Sequence, residues 1–307
     1  MESATDKSPT DMVLRRSLDG GDTWSPLQVI VSGVPHAIMD PCPVVEQESG
    51  TIFLLYDRYP EGFRMSDVGL GMDSATAWVT SSKDGGLTWA KPENITATTK
   101  KPAWSQLAHG PGRGIQTRSG RLVIPCNSWD PNGGRWAFAT FSDDCGETWR
   151  FGREAGVDMD ESQVVELTDG SLMLNMRSFR GRGCRAVSIS RDEGGTWSEP
   201  VDVPELIEPS CQASILRYGA PDGALGPLLF SNPASGSRAR VNMTVRLSDD
   251  EGQTWPVARC LDEGPVAYSC LESLPDGRVG CLYENGAERP YEKISLARFS
   301  VEWVRGE

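Results

Sequence analysis

Short runs of apolar residues, alternating with polar ones and interrupted by turn residues, dominate this chain of 307 residues. Runs such as Ala77-Trp78-Val79-Thr80 and Val164-Val165-Glu166-Leu167 are rich in β-branched and aromatic residues, which favour strands. No segment repeats its apolar residues at the spacing of an amphipathic helix. The pattern therefore predicts an all-β protein of short strands joined by many turns.

Five copies of one octapeptide, Ser-x-Asp-x-Gly-x-Thr-Trp, follow strand-like runs along the chain. They begin at Ser17, Ser82, Ser142, Ser190 and Ser248. We expect each copy to form a hairpin corner, in which the Asp accepts bonds from N–H groups two residues on, the Gly takes a positive φ and the Trp is buried. Successive copies lie 48 to 65 residues apart, which is typical of β-propeller blades. No linker divides the chain, so we expect one domain over residues 1–307.

The composition limits the classes of partner. A net charge of −13 and a pI of about 4.8 argue against nucleic acid and anionic membrane surfaces. No run of 18 apolar residues and no signal peptide is visible, so no membrane span is expected and the compartment stays open. An anionic ligand would have to be held by a local group of arginines.

Metal chemistry is not expected either. The chain has eight cysteines but only two histidines, with no Cys-x-x-Cys pair and no spacing of metal ligands. The even number of cysteines permits disulfides, although isolated cysteines in strands are more often buried free thiols.

Taken alone, the residues that could carry chemistry have ordinary structural explanations. Glu161, just ahead of a strand, would be a solvated carboxylate at the rim of a sheet. A single tyrosine such as Tyr268 would be a core residue with a satisfied hydroxyl. Arg246 would neutralise part of an acidic surface, an explanation that fits Arg240 less well.

The octapeptides resemble the Asp box of sialidases, and the resemblance extends over nearly the whole chain. Glu161 ahead of its strand, Asn175-Met176-Arg177-Ser178, and Tyr268-Ser269 match the motifs of that family in order. The resemblance implies a six-bladed β-propeller and an exo-α-sialidase that needs no cofactor. Its substrates would be sialylated glycans on glycoproteins, glycolipids or oligosaccharides. The alternative is a non-catalytic propeller that binds sialic acid or protein, because such modules share the Asp box.

The resemblance also implies roles for individual residues. Tyr268 would be the nucleophile, Glu161 would accept its proton, and Asp6 would be the general acid, with Asp11 as the alternative. Arg177 and Arg240 would bind the substrate carboxylate, with Arg238 as the competitor of Arg240, and Glu284 would steady one of these arginines. The remaining expected pocket residues are Met39, Asp40, Trp104 and Gln212.

One family motif is missing from this sequence. Sialidases open with a Tyr-Arg-Ile-Pro-like segment, whose arginine is the first of three that bind the carboxylate, and no such segment occurs here. We therefore expect the chain to lack its N-terminal strands, about one blade of the propeller.

Overall fold

A computed structural model describes residues 8–61, 74–219 and 223–307. Strands predominate in these ranges, so the all-β prediction is confirmed. The described residues form two short helices, α1 (Thr96–Thr99) and α2 (Val301–Arg305). Neither helix is long and apolar enough to cross a membrane.

The described residues divide into two compact units. The first contains the described residues up to Asp160 together with Asp192–Trp197, and the second contains Glu161–Arg191 and Ser198–Glu307. Each unit is built from antiparallel sheets with its own apolar cores. The expectation of a single domain stays a prediction.

The first unit contains a two-stranded sheet, β1–β2, followed by a four-stranded sheet, β3–β6, and a five-stranded sheet, β7–β11. Their bounds are Met12–Leu14, Gln28–Val31, Ala37–Val45, Ile52–Tyr59, Thr76–Ser82, Glu93–Asn94, Gln106–His109, Ile115–Gln116, Leu122–Trp129, Arg135–Ser142 and Arg150–Phe151. Aromatic packing fills the core of the third sheet: the Trp104 ring lies 4.8 Å from the Phe138 ring and 5.4 Å from the Phe151 ring.

The second unit contains a four-stranded sheet, β12–β15, and a six-stranded sheet, β16–β21. Their bounds are Met159–Glu166, Leu172–Ser178, Cys184–Ser190, Val201–Ile207, Ser214–Gly219, Leu225–Pro233, Val241–Ser248, Val257–Ser273, Val279–Asn285 and Lys293–Phe299. Strand β19 runs for 17 residues, because its first half pairs with β18 and its second half with β20.

The structure corrects the predicted geometry of the Asp box. In the second copy, the Asp84 carboxylate accepts the N–H and the hydroxyl of Thr88, four residues on, where a bond two residues on was expected. The hydroxyl of Ser82 donates to Asp84 at 2.8 Å and accepts the N–H of Gly86 at 2.8 Å. Gly86 has a φ of 83°, as the sequence predicts. The serine and threonine of the motif are therefore partners of the aspartate.

The expected burial of the box tryptophans holds only in part. Trp149 and Trp255 are buried, and Trp89 and Trp197 are half-buried. Trp24 is 44% exposed, because it lies in the connection between β1 and β2, the two strands of a sheet that offers few side chains to cover it.

The cysteines are free thiols in this structure, and all eight lie within the described ranges. Five are buried, namely Cys42, Cys126, Cys184, Cys211 and Cys281. They pack as small apolar side chains of the strands and adjoining segments.

Candidate active site

Three of the residues predicted to carry chemistry meet at one carboxylate in the second unit. The Tyr268 hydroxyl donates a hydrogen bond to Oε1 of Glu161. Nη1 of Arg177 donates to Oε2 of the same carboxylate at 2.7 Å. Glu161 lies within β12, not ahead of it, and Tyr268 comes from β19, 107 residues further along the chain. The fold thus joins a phenol and a guanidinium through one glutamate.

Burial and charge keep the Tyr268 phenol protonated. Its pKa is raised well above 10, first by burial and then by the negative charge of Glu161 and the hydrogen bond donated to it. The charge of Arg177 acts in the opposite direction. At neutral pH the phenol is therefore neutral, and a carboxylate stands ready to accept its proton.

Arg240 lies over the ring of Tyr268. Its guanidinium carbon is 5.6 Å from the centre of the Tyr268 ring. Nη1 donates to the Tyr291 hydroxyl at 2.8 Å, and Nη2 donates to the Ser210 carbonyl at 3.2 Å. Each terminal nitrogen carries a second N–H, which is suited to a ligand carboxylate. The competing Arg238 is exposed on the preceding loop.

Two further predicted residues support the strand that carries Tyr268. Oε2 of Glu284 accepts the backbone N–H of Tyr268 at 3.1 Å, and burial raises the pKa of this carboxyl while the charge of Arg240 lowers it. The buried Gln212 amide bonds both the N–H and the carbonyl of Ser269, at 2.9 and 3.0 Å. Glu284 and Gln212 therefore hold the backbone on both sides of the tyrosine side chain.

The predicted residues Met39, Asp40 and Trp104 all belong to the first unit. Met39 is half-buried against an apolar core, and Asp40 follows it with a φ of 57° at an irregularity in the pairing of β3 with β4. Trp104 is only 3% exposed, because it packs on Phe138 and Phe151. Trp104 is therefore a core residue of the first unit with almost no exposed surface, and its place in a pocket stays a prediction.

The general acid is not located by the structure. Asp6 lies outside the described residues. The alternative, Asp11, directly precedes β1, and its Oδ1 accepts the N–H of Gly33 at 2.8 Å and the hydroxyl of Ser32 at 3.2 Å. Asp11 is thus engaged in a turn of the first unit.

Sequence reasoning missed a second layer of residues around this site. Arg185, Glu208 and Ser210 hold the backbone and the arginines in place, and Tyr291 contacts Arg240. One signal was available for Arg185, since it stands in the apolar run Arg185-Ala186-Val187-Ser188-Ile189, where a buried charge needs a partner. The roles of Ser210 and Tyr291 depend on contacts distant in sequence, so no local pattern indicates them.

No group of three His, Cys, Asp or Glu side chains suited to hold a metal ion occurs among the residues that the structure describes. The chemistry of the site is that of a phenol, two carboxylates and two guanidinium groups.

Comparison with known proteins agrees with this fold. The model of the BNR repeat-like domain matches residues 1–281. A sialidase of Micromonospora viridifaciens is 38% identical over 315 residues, which cover 97% of this chain and 48% of that protein. A sialidase of Bacteroides fragilis is 35% identical over 312 residues, covering 93% of this chain and 56% of that protein. Among solved structures, Hadza microbial sialidase Hz136 superposes with a TM-score of 0.89 at 35% identity, over 98% of this chain and 62% of that one.

The likeness defines an all-β protein with β-propeller blades, four of which are the sheets of four or more strands described above. The chain belongs to the sialidase family, whose Asp-box repeats it carries. It spans about half the length of the first curated relatives that it matches.

Proposed function

We propose that this protein is an exo-α-sialidase, which hydrolyses terminal α-linked sialic acid from glycoconjugates with retention of configuration. The observation that carries the proposal is the hydrogen bond from the Tyr268 hydroxyl to the Glu161 carboxylate, flanked by the guanidinium groups of Arg177 and Arg240. A propeller that only binds glycans would not need a phenol paired with a proton acceptor. The names of the relatives, all sialidases, support hydrolysis over binding alone.

Arg177 and Arg240 would bind the carboxylate of sialic acid. A guanidinium offers paired N–H donors that match the two oxygens of a carboxylate. The two arginines make different contacts near the tyrosine: Arg177 bonds to Glu161, and Arg240 lies over the Tyr268 ring. A carboxylate held by both would bring the adjacent anomeric carbon next to the phenol.

Tyr268 would attack the anomeric carbon and form a covalent glycosyl–tyrosine intermediate. The substrate's own carboxylate would repel a carboxylate nucleophile, whereas a neutral phenol avoids this repulsion; tyrosine-nucleophile sialidases are known exceptions to the usual pair of carboxylates. As the phenolic oxygen attacks, its proton passes to Glu161, with which it already shares a hydrogen bond.

Proton transfer to the leaving group is assigned to Asp6 on family resemblance alone. Asp6 would protonate the glycosidic oxygen in the first step and then activate the water that releases sialic acid. On the same basis, Met39 and Asp40 would line the part of the site that receives the substituents of the sugar. No metal or organic cofactor has a part in this scheme.

We extend the proposal to the number of blades, which we expect to be six in the whole protein. Two smaller groups of strands would belong to further blades. One is the two-stranded sheet β1–β2. The other lies within the six-stranded sheet counted above as one blade, where β20 and β21 pair with the second half of β19 while β16–β18 pair with each other and with its first half. Each group is a partial set from which a further blade would be completed.

The kinetics of Tyr268→Phe on a fluorogenic α-sialoside test this function. We expect kcat/KM to fall on the order of 10³-fold or more, because the nucleophile is lost. Tyr218→Phe is the matched control, since it also removes a phenol that donates a hydrogen bond, here to the Gly277 carbonyl at 2.7 Å. Full turnover in Tyr268→Phe, or an equal loss in Tyr218→Phe, would contradict the proposal.

A further inference from the structure

One short segment of the second unit contacts Arg177, Arg240 and the residue that follows Tyr268. It consists of residues 208–212, which lie in the connection between β15 and β16, and we call it the strap. Its members bond to Arg177, Arg240, Arg185, Ser178 and Ser269.

Ser210, at the centre of the strap, is joined to both guanidinium groups. Its hydroxyl accepts a hydrogen bond from Nε of Arg177 at 3.2 Å, and its backbone carbonyl accepts one from Nη2 of Arg240 at 3.2 Å. Ser210 has a φ of 58°, which is uncommon for a residue with a side chain. Because hydroxyl and carbonyl belong to one residue, its conformation sets the separation between the two arginines.

The residues on both sides of Ser210 are fixed by Arg185. Nη1 of Arg185 bonds both the Glu208 carboxylate and the Cys211 carbonyl, each at 2.9 Å. The other carboxylate oxygen of Glu208 accepts the N–H of Ser178, next to Arg177, at 2.8 Å. The Arg185 and Glu208 side chains are 0% and 1% exposed. The strap is therefore anchored in the interior, where water cannot compete for its bonds.

The end of the strap is tied to the strand of the tyrosine. The Gln212 amide bonds both backbone groups of Ser269, the residue after Tyr268. Displacement of the strap would thus be transmitted to both arginines and to the backbone beside Tyr268.

We propose that the strap is a positioning element, in which Ser210 holds Arg177 and Arg240 at the separation that a ligand carboxylate requires. Ser210 does not itself touch the substrate in this assignment; it acts through the arginines. The inference rests on the proposed function for the role of these arginines. Geometry of this kind matters because a small misplacement of a binding group lowers the rate sharply.

The experiment compares Ser210→Ala and Ser210→Gly in the full chain. Both variants remove the hydroxyl that accepts from Arg177 and keep the carbonyl that accepts from Arg240, while glycine also accommodates the positive φ. Ser198→Ala is the matched control, since the Ser198 hydroxyl also accepts a hydrogen bond, from the N–H of Ile189 at 3.0 Å. The affinity of each protein is measured for N-acetylneuraminic acid and for its methyl ester, which lacks the negative charge.

We expect both Ser210 variants to bind the acid about tenfold more weakly than the wild type, because one hydrogen bond that orients a charged group is lost. Affinity for the ester should be unchanged, and Ser198→Ala should match the wild type with both ligands. If the wild type prefers the acid and the Ser210 variants keep that preference undiminished, the strap does not position the arginines and the inference is wrong.

A ligand-free measurement separates the strap from the proposed function. The Nε–H of Arg177 is followed by nitrogen-15 NMR, with its rate of exchange with water as the readout. Faster exchange in Ser210→Ala than in the wild type and in Ser198→Ala supports the positioning role of the strap. This result would stand even if the wild type did not prefer the acid to the ester, an outcome that would contradict the proposed function alone. An unchanged exchange rate would overturn the positioning role of the strap, whatever affinities are measured for the acid and the ester.

Discussion

Arg185 and Glu208 form an ion pair that is closed off from solvent, with 2.9 Å between Nη1 and Oε2. Arg185 also donates to the side chain and the carbonyl of Asn175, at 2.7 and 3.1 Å, and to the carbonyl of Glu161 at 3.4 Å. One buried cation therefore fixes the backbone of the proposed base and of the strand that carries Arg177.

Removing one partner of this pair should destabilise the protein strongly. Arg185→Met leaves the Glu208 carboxylate buried without its counter-ion, so we expect a loss of about 3–5 kcal/mol in the free energy of unfolding. Urea denaturation measures the loss. Arg278→Met is the control, because the side chains of the Arg278–Asp276 pair, 2.6 Å apart, are 42% and 46% exposed and the pair should contribute little. Equal losses in the two variants would show that the buried pair contributes no more to stability than the exposed one.

The Asp boxes should make stability depend on acid pH. Hydrogen bonds from the Thr88 hydroxyl, the Thr88 N–H and the Ser82 hydroxyl lower the pKa of Asp84 to about 2. A carboxyl with a depressed pKa in the folded state stabilises the protein above its unfolded pKa of about 4, and this contribution disappears as the pH falls toward 2.

We therefore expect Asp84→Asn to be less stable than the wild type at pH 7, with a difference that shrinks between pH 4 and pH 2. Thermal unfolding at a series of pH values measures it. Glu93→Gln changes an exposed carboxylate of β6, the strand that follows this Asp box, and serves as the control. A difference that is independent of pH would count against the hydrogen-bonded carboxylate as its source.

Glu284 should show the opposite dependence. Burial raises the pKa of its carboxyl above the usual 4.5, although the Tyr268 N–H and Arg240 favour the charged form. Because the pKa is raised, the stability of the wild type relative to Glu284→Gln should be greatest below about pH 4.5. This advantage in stability should fall as the pH rises through the pKa of the folded state. Paired unfolding curves from pH 4 to pH 8 measure this, with the exposed Glu288→Gln as control. A difference that grows in favour of the wild type with rising pH would contradict it.

Tyr291 should affect substrate binding more than chemistry. Its hydroxyl accepts from Nη1 of Arg240 at 2.8 Å, and its loop is closed by the Glu292 carboxylate, which accepts the N–H groups of residues 287, 288 and 289. Tyr291→Phe should raise KM for an α-sialoside about fivefold with little change in kcat, because an arginine that binds the carboxylate acts in ground and transition states alike. Tyr218→Phe is again the control. A loss confined to kcat would assign Tyr291 a different role.

The sequence predicts the strands and the residues of the site better than it predicts the residues that hold the site in place. Runs such as Ala77-Trp78-Val79-Thr80 form strands because alternation and β-branched residues are local properties. Tyr268, Glu161 and Arg177 could be named because they lie in motifs of a known family. Ser210 could not, since its two arginine contacts lie 33 and 30 residues away. Trp24 was expected to be buried, but burial depends on how many strands surround a turn, which the octapeptide does not encode.

The central claim is that Tyr268 is the nucleophile, and covalent trapping tests it most directly. A sialosyl donor with fluorine at C2 and C3 is incubated with the full chain, and peptides are mapped by mass spectrometry after rapid acid quenching. The account predicts one added sialosyl group on the peptide that contains Tyr268, in the wild type and in Tyr218→Phe, and none in Tyr268→Phe. A sialosyl group found on Glu161, or still present in Tyr268→Phe, would contradict it.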